Sequence, residues 1–173
     1  ILAVFISGLM VGRTPEFLGK KVEAREMKIA MIIALLHPFL ILVGTALAAA
    51  SPQYTMDSLN NPGFHGLSEM LYEFTSSSAN NGSGFEGLGD NTPWWNISTG
   101  FVLILSRFLP IIGPVAIAGL LAQKKFIPEG DGTLKTDTAT FGLMVFAVIA
   151  IVAALAFFPV LALGPIAEYF SLY

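Results

Sequence analysis

The chain has 173 residues, 54% of them hydrophobic and only 12% charged, against roughly 25% charged residues in soluble domains. Its formal charge of −3 says nothing about nucleic acid, the bases being clustered rather than spread over a face, and no nucleic-acid partner is expected. There is no cysteine, so a disulfide framework and a thiolate metal site are excluded, and the composition is that of an integral membrane protein.

The chain opens at Ile1 inside an apolar run, with no initiating methionine and no basic stretch before it. This reads as a piece of a longer polypeptide, not as a signal peptide. Residues 1–11 make about half of a span, since a crossing helix needs roughly 20 apolar residues. Residues 12–28 hold five of the nine Lys and Arg residues. Residues 29–50 carry no charge and are long enough to cross, with His37-Pro38 in the first half, where proline removes a backbone hydrogen bond. Residues 51–65 are polar, with Pro52, Asn60, Asn61, Pro62 and Gly63 as turn formers.

The next stretch, GLSEMLYEFTSSSANNGSGFEGL at 66–88, begins as an amphipathic helix and dissolves into small polar residues. Met70, Leu71 and Phe74 give an apolar face over 67–77, with Ser68, Glu69, Tyr72 and Glu73 on other sides. Asp90-Asn91-Thr92-Pro93 then reads as a helix start, a capping residue followed by proline in the first turn. Trp94 and Trp95 stand where an interfacial aromatic belt would place them. Residues 97–123 form a long apolar segment interrupted by Arg107, Pro110, Gly113 and Pro114, which would kink or break a helix. Residues 124–138 are a polar loop, and 140–163 a last uncharged span expected to stop at Gly164-Pro165, before a tail with Glu168 and Tyr169.

No Lys or Arg occurs between Lys28 and Arg107 or after Lys135. The positive-inside rule therefore makes 13–28 and 124–138 cytoplasmic, and 51–95 and the C-terminus extracytoplasmic. Two spans then enclose an outward connection carrying the 66–88 stretch. Irregular backbone at membrane depth is tolerated only where protein buries it or it lines a water-filled cavity, and cation filters line such cavities with backbone carbonyls. A short helix ending there aims its negative dipole end at a cation. Residues alone fit two readings, a re-entrant pore loop and a plain outer loop with a surface helix. Glu69 and Glu73, one turn apart, either gather cations at the mouth or solvate the helix. Arg107 is either a pore-facing charge or an arginine buried for packing, intramembrane charge being a functional signal by default. His65 is expected as a satisfied turn histidine, and KKVEAREMK as an orientation signal or a solvated helix.

NPGFHGLSEMLYEFTSSSANNGSGFEGL resembles the last pore loop of the potassium-binding subunits of Kdp-type potassium-transporting ATPases. The resemblance runs on through GRTPEFLGKK, SRFLPIIGPVAIAG and FFPVLALGPIAEY, in order, over essentially the whole chain. It implies an all-α membrane protein: one complete membrane–pore-loop–membrane repeat at 29–123, with pore helix 67–77 and filter 80–83. Before it would come the end of the preceding repeat's second helix (1–12) and a cytoplasmic linker (13–28). After it would come a cytoplasmic loop (124–139) and a final helix with its tail (140–173). It further implies that K+ is held by backbone carbonyls at Asn80, Asn81, Gly82 and Ser83, with Gly82 as the signature glycine, and meets a constriction at Arg107. The implied partners are a P-type ATPase catalytic subunit, which hydrolyses ATP, small accessory membrane subunits and the lipid bilayer of a bacterial or archaeal plasma membrane. K+ is the transported ligand, with no other cofactor and no covalent chemistry in this piece. Departures from the family pattern are Phe64 in place of a proline, Gly84 in place of an alanine and Ser106 in place of a glycine. A Trk/Ktr-type uptake pore is the alternative within the superfamily, against which GRTPEFLGKK argues; a non-conducting scaffold is the alternative outside it.

Overall fold

A computed structural model of the chain describes residues 1–128, 130 and 133–172. Glu129, Asp131 and Gly132 of the expected 124–139 loop, and Tyr173 of the expected tail, lie outside the described residues. In chain order the elements are α1 (Leu2–Val11), a hairpin of β1 (Glu16–Phe17) and β2 (Lys20–Lys21), α2 (Ala24–Ala49), α3 (Pro52–Thr55) with a following 3-10 turn, α4 (Phe64–Ser78), α5 (Pro93–Ala122) and α6 (Ala139–Leu172). Among the described residues, three helices are long and apolar enough to cross a membrane: α2, α5 and the Ala139–Ala156 part of α6. The protein is a helical membrane protein whose only strands, among the described residues, are those of the two-stranded hairpin.

Local chemistry sets the helix starts. Glu26 reaches back so that its Oε2 accepts the Glu23 N–H at 2.8 Å, half of a capping box, and α2 begins at Ala24, inside the expected linker. Thr92 caps α5, its Oγ1 accepting the Trp95 N–H at 3.4 Å ahead of Pro93, and Thr138 caps α6 by accepting from Phe141 at 3.2 Å.

The long helices are not broken at their prolines. α5 is continuous through Pro110 and Pro114, and α6 through Pro159 and Pro165 to Leu172, rather than stopping at Gly164-Pro165. A proline removes one helical donor and leaves the rest of the ladder to its neighbours. Gly164 serves close approach instead of termination. A Cβ there would stand 2.6 Å from Ser68 Oγ and 3.0 Å from the Phe64 carbonyl oxygen, so α6 lies directly on the first turn of α4.

The chain divides into two compact units. The first comprises Ile1–Ala34 and Pro110–Ala154. Its hairpin turns through Leu18 and Gly19 at φ 51° and 67°, the two positive angles a type I′ turn demands. The Arg13–Lys28 region and the loop after α5 are stitched together here. Lys124 Nζ donates to Glu26 Oε2 at 2.7 Å, Glu23 Oε2 at 3.0 Å and the Lys21 carbonyl at 2.9 Å; Arg13 Nη1 donates to the Thr133 carbonyl at 2.8 Å. Burial pulls the Lys124 ammonium down, but the bonds to Glu26 and then Glu23 outweigh it and hold its pKa above the usual lysine value. KKVEAREMK is therefore not simply a solvated helix: Glu26 is fully buried beneath Lys124.

The second unit comprises Leu35–Leu109 and Leu155–Tyr173. Its core is Leu40, Ala48, Met70, Phe74, Trp95 and Val102. Phe74 lies against α2 at Gly44, where a Cβ would overlap the ring, and its centroid is 5.7 Å from that of Trp95. Trp95 is not a belt residue. It is fully buried, and its indole N–H donates to Ser58 Oγ at 2.7 Å, which satisfies the one polar atom such a ring carries. Trp94 packs on its edge with centroids 4.8 Å apart.

Candidate functional site

α4 positions the site. It runs from Phe64, three residues earlier than the apolar face alone marks, to Ser78. The expected face is the buried one, with Met70, Leu71 and Phe74 all inside. The two acidic residues do neither of the things expected of them, since both are buried. Glu69 accepts the backbone N–H of Asn60 at 3.0 Å and of Asn61 at 3.2 Å, and the Asn61 side chain at 2.9 Å; it ties the preceding loop to the helix. Three N–H donors offset the desolvation of its carboxylate. Glu73 accepts only from Ser77 Oγ, at 3.4 Å on Oε1, and its Oε2 is buried without a partner among the described residues. His65 pairs with Glu168 of α6, Nε2 to Oε1, at 3.2 Å, and His37 of α2 bonds Ser78 Oγ at 2.8 Å.

The helix ends in a Schellman motif. The Asn81 N–H reaches back to the Ser76 carbonyl at 3.0 Å and the Asn80 N–H to the Ser77 carbonyl at 3.0 Å, with Asn80 left-handed at φ 54°. Glycine is the usual residue at that pivot; asparagine is one of the few others that tolerate it. Gly82 follows at φ 81°, a conformation that L side chains rarely adopt, although a Cβ there would meet nothing within 4 Å. Between these two reversals the backbone makes no ladder. Among the described residues, the carbonyls of Asn80, Asn81, Gly82 and Ser83 accept no hydrogen bond.

Side chains brace this strand at both ends. Ser83 Oγ lies 3.1 Å from Tyr72 Oη and 3.2 Å from Ser76 Oγ, both on α4. Tyr72 is itself braced by the edge of Phe85, with centroids 5.6 Å apart. At the other end Asn80 reaches α5: its Nδ2 donates to Ser106 Oγ at 2.7 Å, and its Oδ1 accepts from Arg107 Nε at 2.8 Å. Arg107 is exposed, and its one described side-chain partner is this asparagine rather than a carboxylate or a helix carbonyl. The structure thus brings together Asn80 and Arg107, with Ser83 held separately by α4. Tyr72, Ser76 and Ser106 brace the strand, a role the sequence did not assign to them. Ser76 sits one turn from Tyr72, a spacing readable on a helix, whereas nothing local connects Ser106 to a residue 26 positions away.

The model of the potassium-transporting ATPase A subunit family matches residues 1–170 of the chain. Among curated proteins, the potassium-transporting ATPase potassium-binding subunit of Bacteroides thetaiotaomicron is 74% identical over 99% of the chain and 32% of its own length. That of Flavobacterium johnsoniae is 72% identical with the same coverages, and that of Geobacillus kaustophilus 57% identical over 99% of the chain and 30% of its own length. The chain therefore spans about a third of the length of the curated relatives it matches.

Proposed function

Because the chain belongs to the potassium-transporting ATPase A subunit family, we propose that it is the closing third of a channel-like, potassium-binding subunit of an ATP-driven uptake complex. In this reading residues 29–123 form one membrane–pore-loop–membrane repeat, entered from the end of another through 1–12 and the linker 13–28. Residues 140–173 supply the final helix and tail. The complex sits in a bacterial or archaeal plasma membrane with 51–95 outward and 13–28 and 124–138 cytoplasmic. K+ sheds water against the carbonyls of Asn80, Asn81, Gly82 and Ser83, while the rest of the subunit contributes three further strands. It then passes the positive charge of Arg107. Hydrolysis of ATP belongs to a P-type catalytic subunit, small accessory membrane subunits complete the complex, and this piece moves an ion without covalent chemistry.

The observation that carries the reading is the run of four successive uncommitted carbonyls directly beyond the C-terminus of a short helix. A helix C-terminus presents negative partial charge, and a cation gives up water only where oxygens replace it. In the whole complex, Gly82→Asp introduces a side chain where φ is 81° and is expected to degrade K+ affinity and ion discrimination together. Growth at limiting potassium and K+ over Na+ selectivity are the measurements; no change in either overturns the reading.

A further inference from the structure

We propose that Ser106 and Asn80 form a directional latch between the filter strand and α5, which makes Ser106 a positioning residue for the potassium site. The inference rests on the pore reading above and adds to it the element that fixes the first carbonyl of the strand.

Asn80 is the pivot at which the chain leaves α4, left-handed at φ 54°. Even for asparagine, which tolerates it, this conformation persists where the surroundings over-determine it. Its side chain is over-determined. An amide has one acceptor oxygen and two donor hydrogens. Here the oxygen takes the Arg107 Nε–H at 2.8 Å, and the nitrogen gives to Ser106 Oγ at 2.7 Å and to the Ser78 carbonyl at 3.3 Å. The Ser106 hydroxyl, buried, passes its own hydrogen back to the Leu103 carbonyl at 3.3 Å. Donors and acceptors therefore run one way, from Arg107 through Asn80 and Ser106 into the α5 ladder.

Turning the amide over would set its N–H groups against an Arg107 nitrogen that can only donate. One orientation of the amide survives, and it ties the residue that begins the strand to α5. Both anchors are consecutive residues of α5, so the filter strand and this stretch of helix share one frame.

The test uses the complete potassium-transporting complex in proteoliposomes, with K+-dependent turnover and Na+ competition as readouts. Ser106→Ala is expected to raise the apparent KM for K+ by about 3–10-fold, the scale of one lost hydrogen bond, with the maximal rate held within about twofold. Ser106→Thr keeps the hydroxyl and should restore the wild-type KM. Asn80→Gly keeps the left-handed pivot and removes all three side-chain bonds, the two to α5 and the one to the Ser78 carbonyl; adding Ser106→Ala to it should raise KM no further. An unchanged KM in Ser106→Ala, a Ser106→Thr protein as impaired as the alanine, or additive effects in the double variant would each overturn the latch. If Ser106→Ala does not assemble, the comparison of Asn80→Gly with Ser106→Thr decides. Because Gly82→Asp is measured in the same assay, a protein in which it acts and Ser106→Ala does not separates failure of the latch from failure of the pore reading.

Discussion

At the scale of single residues, Arg107 shows what a sequence can and cannot assign. Its position among apolar residues marks it, because a guanidinium stays charged there. Its partner is invisible from the chain, since Asn80 lies 27 positions upstream and meets it only through the fold. The pairing puts a permanent positive charge beside the candidate filter. Arg107→Gln removes that charge and is expected to raise passive K+ leak through the whole complex by about tenfold, or ~1.4 kcal/mol on the barrier. Ion flux into vesicles checks it, with the yield of intact complex as control; loss of assembly would make Arg107 a packing residue instead.

At the scale of elements, the spans and the face of α4 were legible because they repeat: uncharged runs, and apolar residues at helical spacing. What was not legible depended on partners. Glu69 and Glu73 read as surface acids because charge predicts exposure; loop N–H donors for one and a buried slot for the other reverse that. Gly164-Pro165 read as a stop because those residues end helices when nothing lies beside them, and here α4 does. Trp95 read as interfacial because Ser58, which receives its N–H, is far off in sequence. Glu73 lies on α4, outside the three spans, so its titration is an element property. Burial first, and the negative charge of Asp90 second, push its carboxyl above the usual value, with the Ser77 hydroxyl opposing them. A raised pKa means that the folded state favours the protonated form, so this contribution to stability is present in acid and lost as pH rises through that value. Glu73→Gln cannot ionise. Melting of the detergent-solubilised complex should therefore fall with pH in the wild type and hold flatter in the variant, and parallel curves would refute it.

At the scale of the whole chain, the family match covers 170 of the 173 residues, and the chain only about a third of a relative's length. Within the first unit, two distant segments are fastened together by several bonds, with Lys124 making three of them. Lys124 joins residues about a hundred positions upstream, and Glu26, its partner at 2.7 Å, has no solvent to fall back on. Lys124→Met leaves that carboxylate unpaired and should destabilise the complex by about 2–4 kcal/mol, read as a lowered melting temperature. Adding Glu26→Gln removes the stranded charge and should recover much of the loss; a double variant no better than the single would place the effect elsewhere.

The contact of Phe74 with Gly44 has a geometric consequence. The face of α2 at that point is flush, one hydrogen deep, and the ring rests on it like a foot on a floor. How far α4 sinks between its neighbours is therefore gauged by the absence of a single methyl group. A thicker residue at 44 would act as a shim under the helix, lifting its far end and the strand beyond Ser78 with it.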